Sequence, residues 1–505
     1  MESEDHNPFS FRMGRKTFLS LVAILLFAIA VRIIFFYGVG VSDDLAYTKF
    51  ASEVEKNGYH LEATHHTTRL GIIYPVSWLY RLFGVNEFSS TLFVSLASIA
   101  GIVLIFYFGK LFFSERTGLI AAFLLSIFPS DVMLGTKLLP DLPSAFFMSL
   151  GVFLFLVGEH SVKNKTTMMY HFFAGISIGI AYLVRESALL IALFFLAYIL
   201  FRRKFKASYV VLGLSVLAVI LLEIGLFHAL TGDLLFRLHG SNEVYLDVIK
   251  AGNFYGRPPT SIASLLHYPY IILTSLEINL FYIATFIAFI YFWVARKKEA
   301  YPFMIWFAAL LIYISVGTSS FSRYIFFAAT PRYLLVISIP AMLLLAAFLA
   351  EKKTAIRKWV FPSVAIILFL ASMVFLATDH ESREIADNVK EAMPAILKLD
   401  KPIYTDRRSV DVIGYLSGYA DSLELVSFDR CEGGICSPES VRTKDLSAVK
   451  DAYVVVNQKL MKVVTSIHPY VRYPEEVQHI PAEWVDVESI GSGDEEIGIY
   501  YIPKK

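Results

Sequence analysis

The sequence predicts a polytopic α-helical membrane protein that carries a small C-terminal α/β domain. Three observations carry that prediction. Of 505 residues, 56% are hydrophobic and only 18% charged, where an ordinary soluble domain holds about 25% charged residues. About eleven stretches before residue 379 stay apolar over the roughly 20 residues needed to cross a bilayer. From Asp379 onward the composition becomes that of a soluble domain, with short β-branched runs between helical-looking segments. The expected division is residues 1–378 as the membrane domain and 379–505 as an extracytoplasmic domain.

Taken in order, the first span is Phe18–Tyr37, preceded by Arg12, Arg15 and Lys16. Its length and the lack of a small-residue cleavage site after it predict a retained helix. Further spans are expected at about 91–113, 117–135, 142–158, 170–184, 187–201, 208–229, 270–294, 301–316, 333–350 and 359–378. The basic residues at alternate turns fall on one side: Lys110 with Arg116, Lys163 with Lys165, Arg202 to Lys206, Arg296 to Lys298, and Lys352 to Lys358. Such an excess marks the cytoplasm, so the N-terminus is expected inside and, with an odd number of spans, the tail outside the cell membrane.

Three outer segments follow, at 38–90, 231–267 and 317–332. The first mixes acids with His60, His65, His66 and Arg69, and its helical stretches Leu45–Asn57 and Ile73–Phe83 have apolar faces suited to a membrane surface. In the tail, strands are expected at Pro402–Thr405, Leu423–Phe428, Ala452–Asn457, Trp484–Ile490 and Ile497–Ile502. No glycine-rich nucleotide fingerprint occurs there, and a net charge of +1 argues against nucleic acid as a partner. The two cysteines, Cys431 and Cys436, bracket Glu-Gly-Gly-Ile. Outside the cell they are expected to close a small disulfide loop, the alternative being two free thiols. A zinc site would need further ligands that the spacing does not supply.

Ionisable residues in or against the spans collect in the outer half. Arg32 ends the first span, Asp43 and Asp44 follow it, and Lys137 and Asp141 flank one outer turn. Arg185 and Glu186 occupy the next outer turn, Glu223 and Glu277 sit near span ends, and Arg332 opens the tenth span. Intramembrane charge costs about 2.5–3.5 kcal/mol on insertion scales, so a one-sided cluster implies pairing, a wet cavity or both. Plainer roles compete: snorkelling for Arg32, Lys137 and Glu186, pairing within the bundle for Glu223 and Glu277, and helix capping for the Asp43–Asp44 pair. A cap does not need two acids, so at least one is expected to serve chemistry.

Several stretches carry a resemblance. They are Ser42-Asp-Asp-Leu-Ala-Tyr, Arg81-Leu-Phe-Gly-Val-Asn-Glu-Phe-Ser-Ser-Thr-Leu, and Gly109-Lys-Leu-Phe-Phe-Ser-Glu-Arg-Thr-Gly. Leu138-Leu-Pro-Asp-Leu-Pro, Leu183-Val-Arg-Glu-Ser-Ala-Leu-Leu, Thr231-Gly-Asp-Leu-Leu-Phe-Arg-Leu-His and Pro331-Arg-Tyr-Leu-Leu-Val-Ile follow in order. The ordered set resembles the integral-membrane glycosyltransferases of the protein O-mannosyltransferase and aminoarabinose transferase type, the GT-C class. The resemblance implies transfer of a sugar, such as mannose or another hexose, from a polyprenyl- or dolichyl-phosphate carrier at the outer face. It implies that the catalytic acid is Asp43 or Asp44, that Asp141 is the second acidic position, and that Arg185 and Arg332 face the donor phosphate. The pair is Asp-Asp where protein mannosyltransferases have Asp-Glu, and the MIR domain of the eukaryotic enzymes is absent.

A phosphate-linked sugar is already activated, so such a site needs a base for the acceptor hydroxyl and cations for the departing phosphate. Asp43 is the first candidate base, with Asp44 orienting it or taking the role. Arg185 and Arg332 are the phosphate candidates, since guanidinium offers a bidentate fork. Lys137, Glu186 and Arg237 complete the candidate substrate-binding set with Asp141. Direct displacement predicts inversion at the anomeric carbon. The reaction is expected to need no metal; a divalent ion would require Asp43, Asp44 and Asp141 to converge. The acceptor is expected to be a hydroxyl on protein, lipid or glycan. A transporter or lipid flippase is the alternative, but would place its groups near mid-membrane, with broken helices and repeated halves. A mere membrane anchor for the tail would leave the outer acids and arginines without purpose.

Overall fold

The computed structural model describes residues 11–59, 64, 66–240, 266–318, 327, 330–351, 357–379, 386–431, 441–467 and 471–504. Its membrane part is built from α1 (Arg15–Ile34), α2 (Asp43–Asn57), α3 (Leu70–Phe83), α4 (Glu87–Phe112) and α5 (Glu115–Ile127). There follow α6 (Pro129–Leu134), α7 (Asp141–Glu159), α8 (Asn164–Val184), α9 (Ala192–Arg202) and α10 (Ala207–Thr231). The rest are α11 (His267–Thr274), α12 (Asn279–Val294), α13 (Tyr301–Val316), α14 (Ser338–Ala350) and α15 (Arg357–Thr378). Seven helical segments are long and apolar enough to cross a membrane among the described residues, and an eighth if α11 and α12 count as one bent span.

Three further expected spans are helical but shorter. The 117–135 stretch breaks at Phe128, because Pro129 cannot donate into the preceding turn and starts the six-residue α6 instead. The 187–201 stretch opens as a 3₁₀ turn over Glu186–Ile191 before α9. The last is apolar over Pro362–Thr378. The expected single span at 270–294 needs correction. α11 and α12 meet at 113°, and the carbonyl of Ser275 accepts from the amides of Ile278 and Asn279 at 3.1 and 2.9 Å. The break falls at Ser275–Ile278, around Glu277, the one acidic or basic residue in the stretch.

Close approach of backbones fixes the bundle. A Cβ on Gly109 of α4 would stand 2.5 Å from the Cα of Gly118 on α5, so this helical hairpin packs main chain to main chain. A Cβ on Gly71 of α3 would meet the amide nitrogen of Val184 at 2.6 Å, which seats α3 against the end of α8, beside Arg185. Between the helices lies an aromatic core with Trp306, Phe108, Phe155, Phe194 and Phe303 fully buried. The opposite faces expose large apolar side chains such as Leu222, Trp293 and Ile33, the pattern of helices solvated by lipid. α2 and α3 cover the two stretches expected to lie along the membrane surface.

The C-terminal domain contains α16 (Asp387–Ile396), β1 (Ile403–Thr405), α17 (Arg407–Leu416), β2 (Leu425–Ser427), β3 (Asp429–Cys431) and β4 (Val441–Thr443). It ends with β5 (Ala452–Asn457), α18 (Gln458–Ile467), α19 (Glu475–Gln478), β6 (Val485–Ile490) and β7 (Ile497–Ile502). The main sheet runs β2-β1-β5-β7-β6, while β3 and β4 form a separate ribbon. β1 is parallel to β2 and β5, and β7 is antiparallel to β5 and β6. The disulfide expected between Cys431 and Cys436 falls outside the described side chains and residues.

This domain is seated on the outer-loop helices. Val39 and Leu45 join one apolar cluster with Val389, Ile396, Val412 and Tyr415. The hydroxyls of Tyr419 and Thr48 lie 2.7 Å apart, and those of Tyr415 and Ser90 lie 3.0 Å apart. Lys56 donates to the Tyr419 carbonyl at 2.6 Å, and Lys390 pairs with Glu87 at 3.0 Å. The sheet domain therefore shares an end of the bundle with Asp43 and Asp44.

Candidate active site

The two adjacent acids point to different tasks. Asp44 is 3% exposed, and its carboxylate accepts from the backbone amides of Gly40, Ser42 (2.9 Å) and Leu45 (3.1 Å). Burial pushes this carboxyl up, against the pull of the Gly40 and Ser42 amides and of the Lys137 charge. Asp44 thus ties the loop after α1 to the first turn of α2, while the preceding Ser42 makes no side-chain cap. Asp43 turns away from that clamp. Its Oδ2 lies 3.3 Å from Nη1 of Arg332 and its Oδ1 lies 3.7 Å from Nε2 of His66. The His66 ring rests edge-on against Tyr47, one helical turn beyond Asp43, with centroids 5.1 Å apart.

Arg332 opens the 3₁₀ segment Pro331–Ile337 that leads into α14. Its guanidinium carbon is 5.7 Å from the Tyr333 ring centroid, and that of Arg185 is 4.6 Å from the same ring. Arg185 in turn pairs with Asp141, both buried. Asp141, Arg185, Tyr333, Arg332 and Asp43 therefore form one continuous chain of contacts, drawn from segments far apart in sequence.

Beside it runs a second chain. Arg69 bonds Glu186 at 2.8 Å and also reaches the Tyr47 hydroxyl. Arg237 bonds Glu186 at 3.2 Å, the Tyr182 carbonyl at 2.9 Å, and Glu223. Its guanidinium lies 4.3 Å from the Tyr182 ring centroid. Glu186 and Arg237 are thus engaged with each other and with buried partners, and meet the Asp43 chain through Arg69, Tyr47 and His66 and through Arg185, the residue before Glu186. Arg32 belongs to neither chain: it binds Asp131 at 2.5 Å and Ser98 at 2.8 Å inside the bundle.

A cavity of about 660 Å³ is lined by Asp44, Lys137, Glu277 and Arg332 together with apolar groups such as Met133 and Phe375; Asp43 is not on its wall and meets it through Arg332. The Lys137 ammonium lies 5.1 Å from the Tyr37 ring centroid. Burial lowers its pKa, against the field of Asp44, Asp379 and Glu277. Among the described residues no group of three or more His, Cys, Asp or Glu side chains is arranged to hold a metal ion.

Of the candidates, Asp43 and Arg332 meet directly, Asp44, Lys137 and Arg332 share the cavity wall, and Asp141 and Arg185 reach it through Tyr333. Glu186 and Arg237 stand in the neighbouring chain and do not line the cavity. Sequence reasoning passed over Tyr333, Tyr47 and His66 as site residues and took Glu277 for a packing charge. Tyr333 follows Arg332 directly and Tyr47 lies four residues after Asp43, so both had a positional signal. The contact of His66 with Asp43 depends on loop geometry and had none.

Residues 70–225 match the dolichyl-phosphate-mannose-protein mannosyltransferase family, a range that includes Lys137, Asp141, Arg185 and Glu186. Among solved structures, ArnT from Cupriavidus metallidurans bound to undecaprenyl phosphate matches with a TM-score of 0.66 at 14% identity, over 96% of this chain and 98% of that one. The same protein in the apo state gives 0.63 at 15% identity, over 95% and 97%. The archaeal oligosaccharyltransferase AglB from Archaeoglobus fulgidus, in complex with an inhibitory peptide and a dolichol-phosphate, gives 0.56 at 13%, over 90% and 70%. No curated protein matches by sequence. Residues 70–225 are thus similar to the mannosyltransferase family, and the chain as a whole shares the multi-pass fold of ArnT and of the AglB oligosaccharyltransferase.

Proposed function

We propose that the protein transfers a sugar, a hexose such as mannose, from a polyprenyl-phosphate carrier to a hydroxyl acceptor at the outer membrane face, with inversion. The observation that carries this reading is the carboxylate of Asp43 beside the guanidinium of Arg332, 3.3 Å apart, with Arg332 and Lys137 lining one cavity. Asp43 takes the proton of the acceptor hydroxyl as its oxygen attacks the anomeric carbon. The bond from that carbon to the phosphate oxygen breaks, and the electron pair leaves on the phosphate. Arg332 and Lys137 are the cations within reach of that developing charge. Asp141 and Arg185 act at one remove, holding Tyr333 and through it the guanidinium of Arg332. As we read it, the charge neutralisation comes from side chains and needs no metal.

Further support comes from the relatives: the ArnT structure holds undecaprenyl phosphate and the AglB complex a dolichol-phosphate. The basic turns set the membrane orientation of this reading, with the N-terminus in the cytoplasm and the C-terminal domain outside. The acceptor class, whether protein, lipid or glycan, is left open by the chemistry, since each presents a hydroxyl.

One observation favours transport as a second reading: the 113° break between α11 and α12 borders the cavity, and broken helices mark transporter sites. A single experiment separates the two. Purified protein in liposomes is given a radiolabelled polyprenyl-phosphate hexose and hydroxyl acceptors. Sugar transfer predicts a new glycosidic bond, lost in Asp43→Asn while the variant keeps its fold. Label crossing the vesicle wall with no new bond would overturn the proposal.

A further inference from the structure

Glu277 has no role in the mechanism above, yet the chain departs from helix to present it. It lies in the break between α11 and α12, and that break contributes Ser275, Leu276 and Glu277 to the cavity wall. Irregular backbone at membrane depth is tolerated where it lines a cavity or is buried in protein. Lys137 lines the same recess and feels the Glu277 charge. Two opposite charges with nothing else to do would close on each other. Here, among the described residues, neither side chain forms a hydrogen bond or an ion pair, and the Lys137 ammonium has only the Tyr37 ring 5.1 Å away.

The other acid on the described cavity wall is committed: Asp44 holds the amides of Gly40, Ser42 and Leu45. Arg332 and Lys137 account for a phosphate, and Asp43 for the acceptor proton. That leaves Glu277 as the described cavity carboxylate whose lone pairs are unclaimed.

We infer that Glu277 grips the sugar of the donor, its two oxygens accepting hydrogen bonds from sugar hydroxyls while Lys137 and Arg332 hold the phosphate. The inference rests on the sugar-transfer reading and deepens it. A carboxylate facing a diol is a charge-assisted, directional contact. A carrier phosphate without its sugar offers nothing to it. Glu277 therefore discriminates between sugars and between loaded and unloaded carrier, without deciding whether the carrier binds.

The test compares two probes on the full-length purified protein, polyprenyl phosphate and polyprenyl-phosphate hexose. Glu277→Ala is expected to weaken the hexosyl probe by roughly tenfold, the loss of a charge-assisted hydrogen-bonded contact, and to leave the bare phosphate within about twofold. Glu277→Gln, of the same shape and still offering an acceptor oxygen, recovers part of the loss. Arg332→Ala weakens both probes. In turnover, the donor KM of Glu277→Ala rises more than kcat falls. Equal weakening of both probes, or an unchanged hexosyl affinity in Glu277→Ala, overturns the inference while sugar transfer stands. Failure of the unmodified protein to bind either probe removes the sugar-transfer reading and the inference with it.

Discussion

Asp43 and Asp44 are neighbours in sequence and opposites in use. The amides of Gly40, Ser42 and Leu45 occupy the Asp44 carboxylate, while Asp43 faces Arg332 and His66. Two substitutions tell them apart. Asp43→Asn is expected to lower transfer by about 10²–10⁴-fold, the worth of a general base, with no change in the melting temperature. Asp44→Asn turns an amide donor toward backbone donors, so it is expected to cost on the order of 1–3 kcal/mol of stability and to lower the melting temperature along with activity. Tyr333 offers a third test. Its ring lies between Arg185 and Arg332, and a cation–π contact is worth about 0.5–2 kcal/mol. Tyr333→Leu should raise the donor KM several-fold, whereas Tyr333→Phe should leave it unchanged. The acid pair and both arginines were legible in sequence as outer-half charges. Their division of labour was not, because it depends on which backbone amides a loop turns inward.

At the scale of elements, the apolar stretches announced most of the helices, and the tail strands were placed within one or two residues for Ala452–Asn457, Trp484–Ile490 and Ile497–Ile502. The bend at Ser275–Ile278 was missed because an apolar window averages over one serine and one glutamate. The close contact of Gly109 with Gly118 leaves no room for a side chain. Gly118→Val should destabilise the protein by at least about 1–3 kcal/mol, seen as a lower detergent-melting midpoint. In the sheet domain, Asp406 caps α17 through the Ser409 amide at 2.9 Å. Burial pushes its carboxyl up to about 6. The folded state thus prefers the protonated acid. The stabilisation is present below the ordinary carboxylate range and is lost as pH rises toward about 6. Asp406→Asn should flatten that loss, worth on the order of 2–3 kcal/mol, when the urea midpoint of the domain is followed from pH 4 to 7.

At the scale of the whole molecule, the composition shift near Asp379 announced a separate tail, but nothing in the sequence told where it sits. That seat depends on hydroxyl pairs between residues more than 300 positions apart, Tyr419 with Thr48 and Tyr415 with Ser90. Thr48 also donates to the Leu45 carbonyl at 2.8 Å, so the sheet domain grips the helix that begins with Asp43. Each tyrosine hydroxyl is worth about 0.5–1.5 kcal/mol. The double variant Tyr415→Phe with Tyr419→Phe is expected to lower kcat several-fold with the donor KM nearly unchanged, because α2 loosens while the phosphate cations stay in place. Equal loss in both parameters would count against this.

The contact between Arg332 and Asp43 has a kinetic consequence. On the proposed mechanism, a base neutralised in this way by a guanidinium is a poor proton acceptor, and the resting protein is then held in check. Arrival of an anionic phosphate draws the guanidinium away and uncovers the carboxylate. Turnover should then follow a compulsory order, carrier before alcohol, and stray water should find no competent base while the carrier is absent.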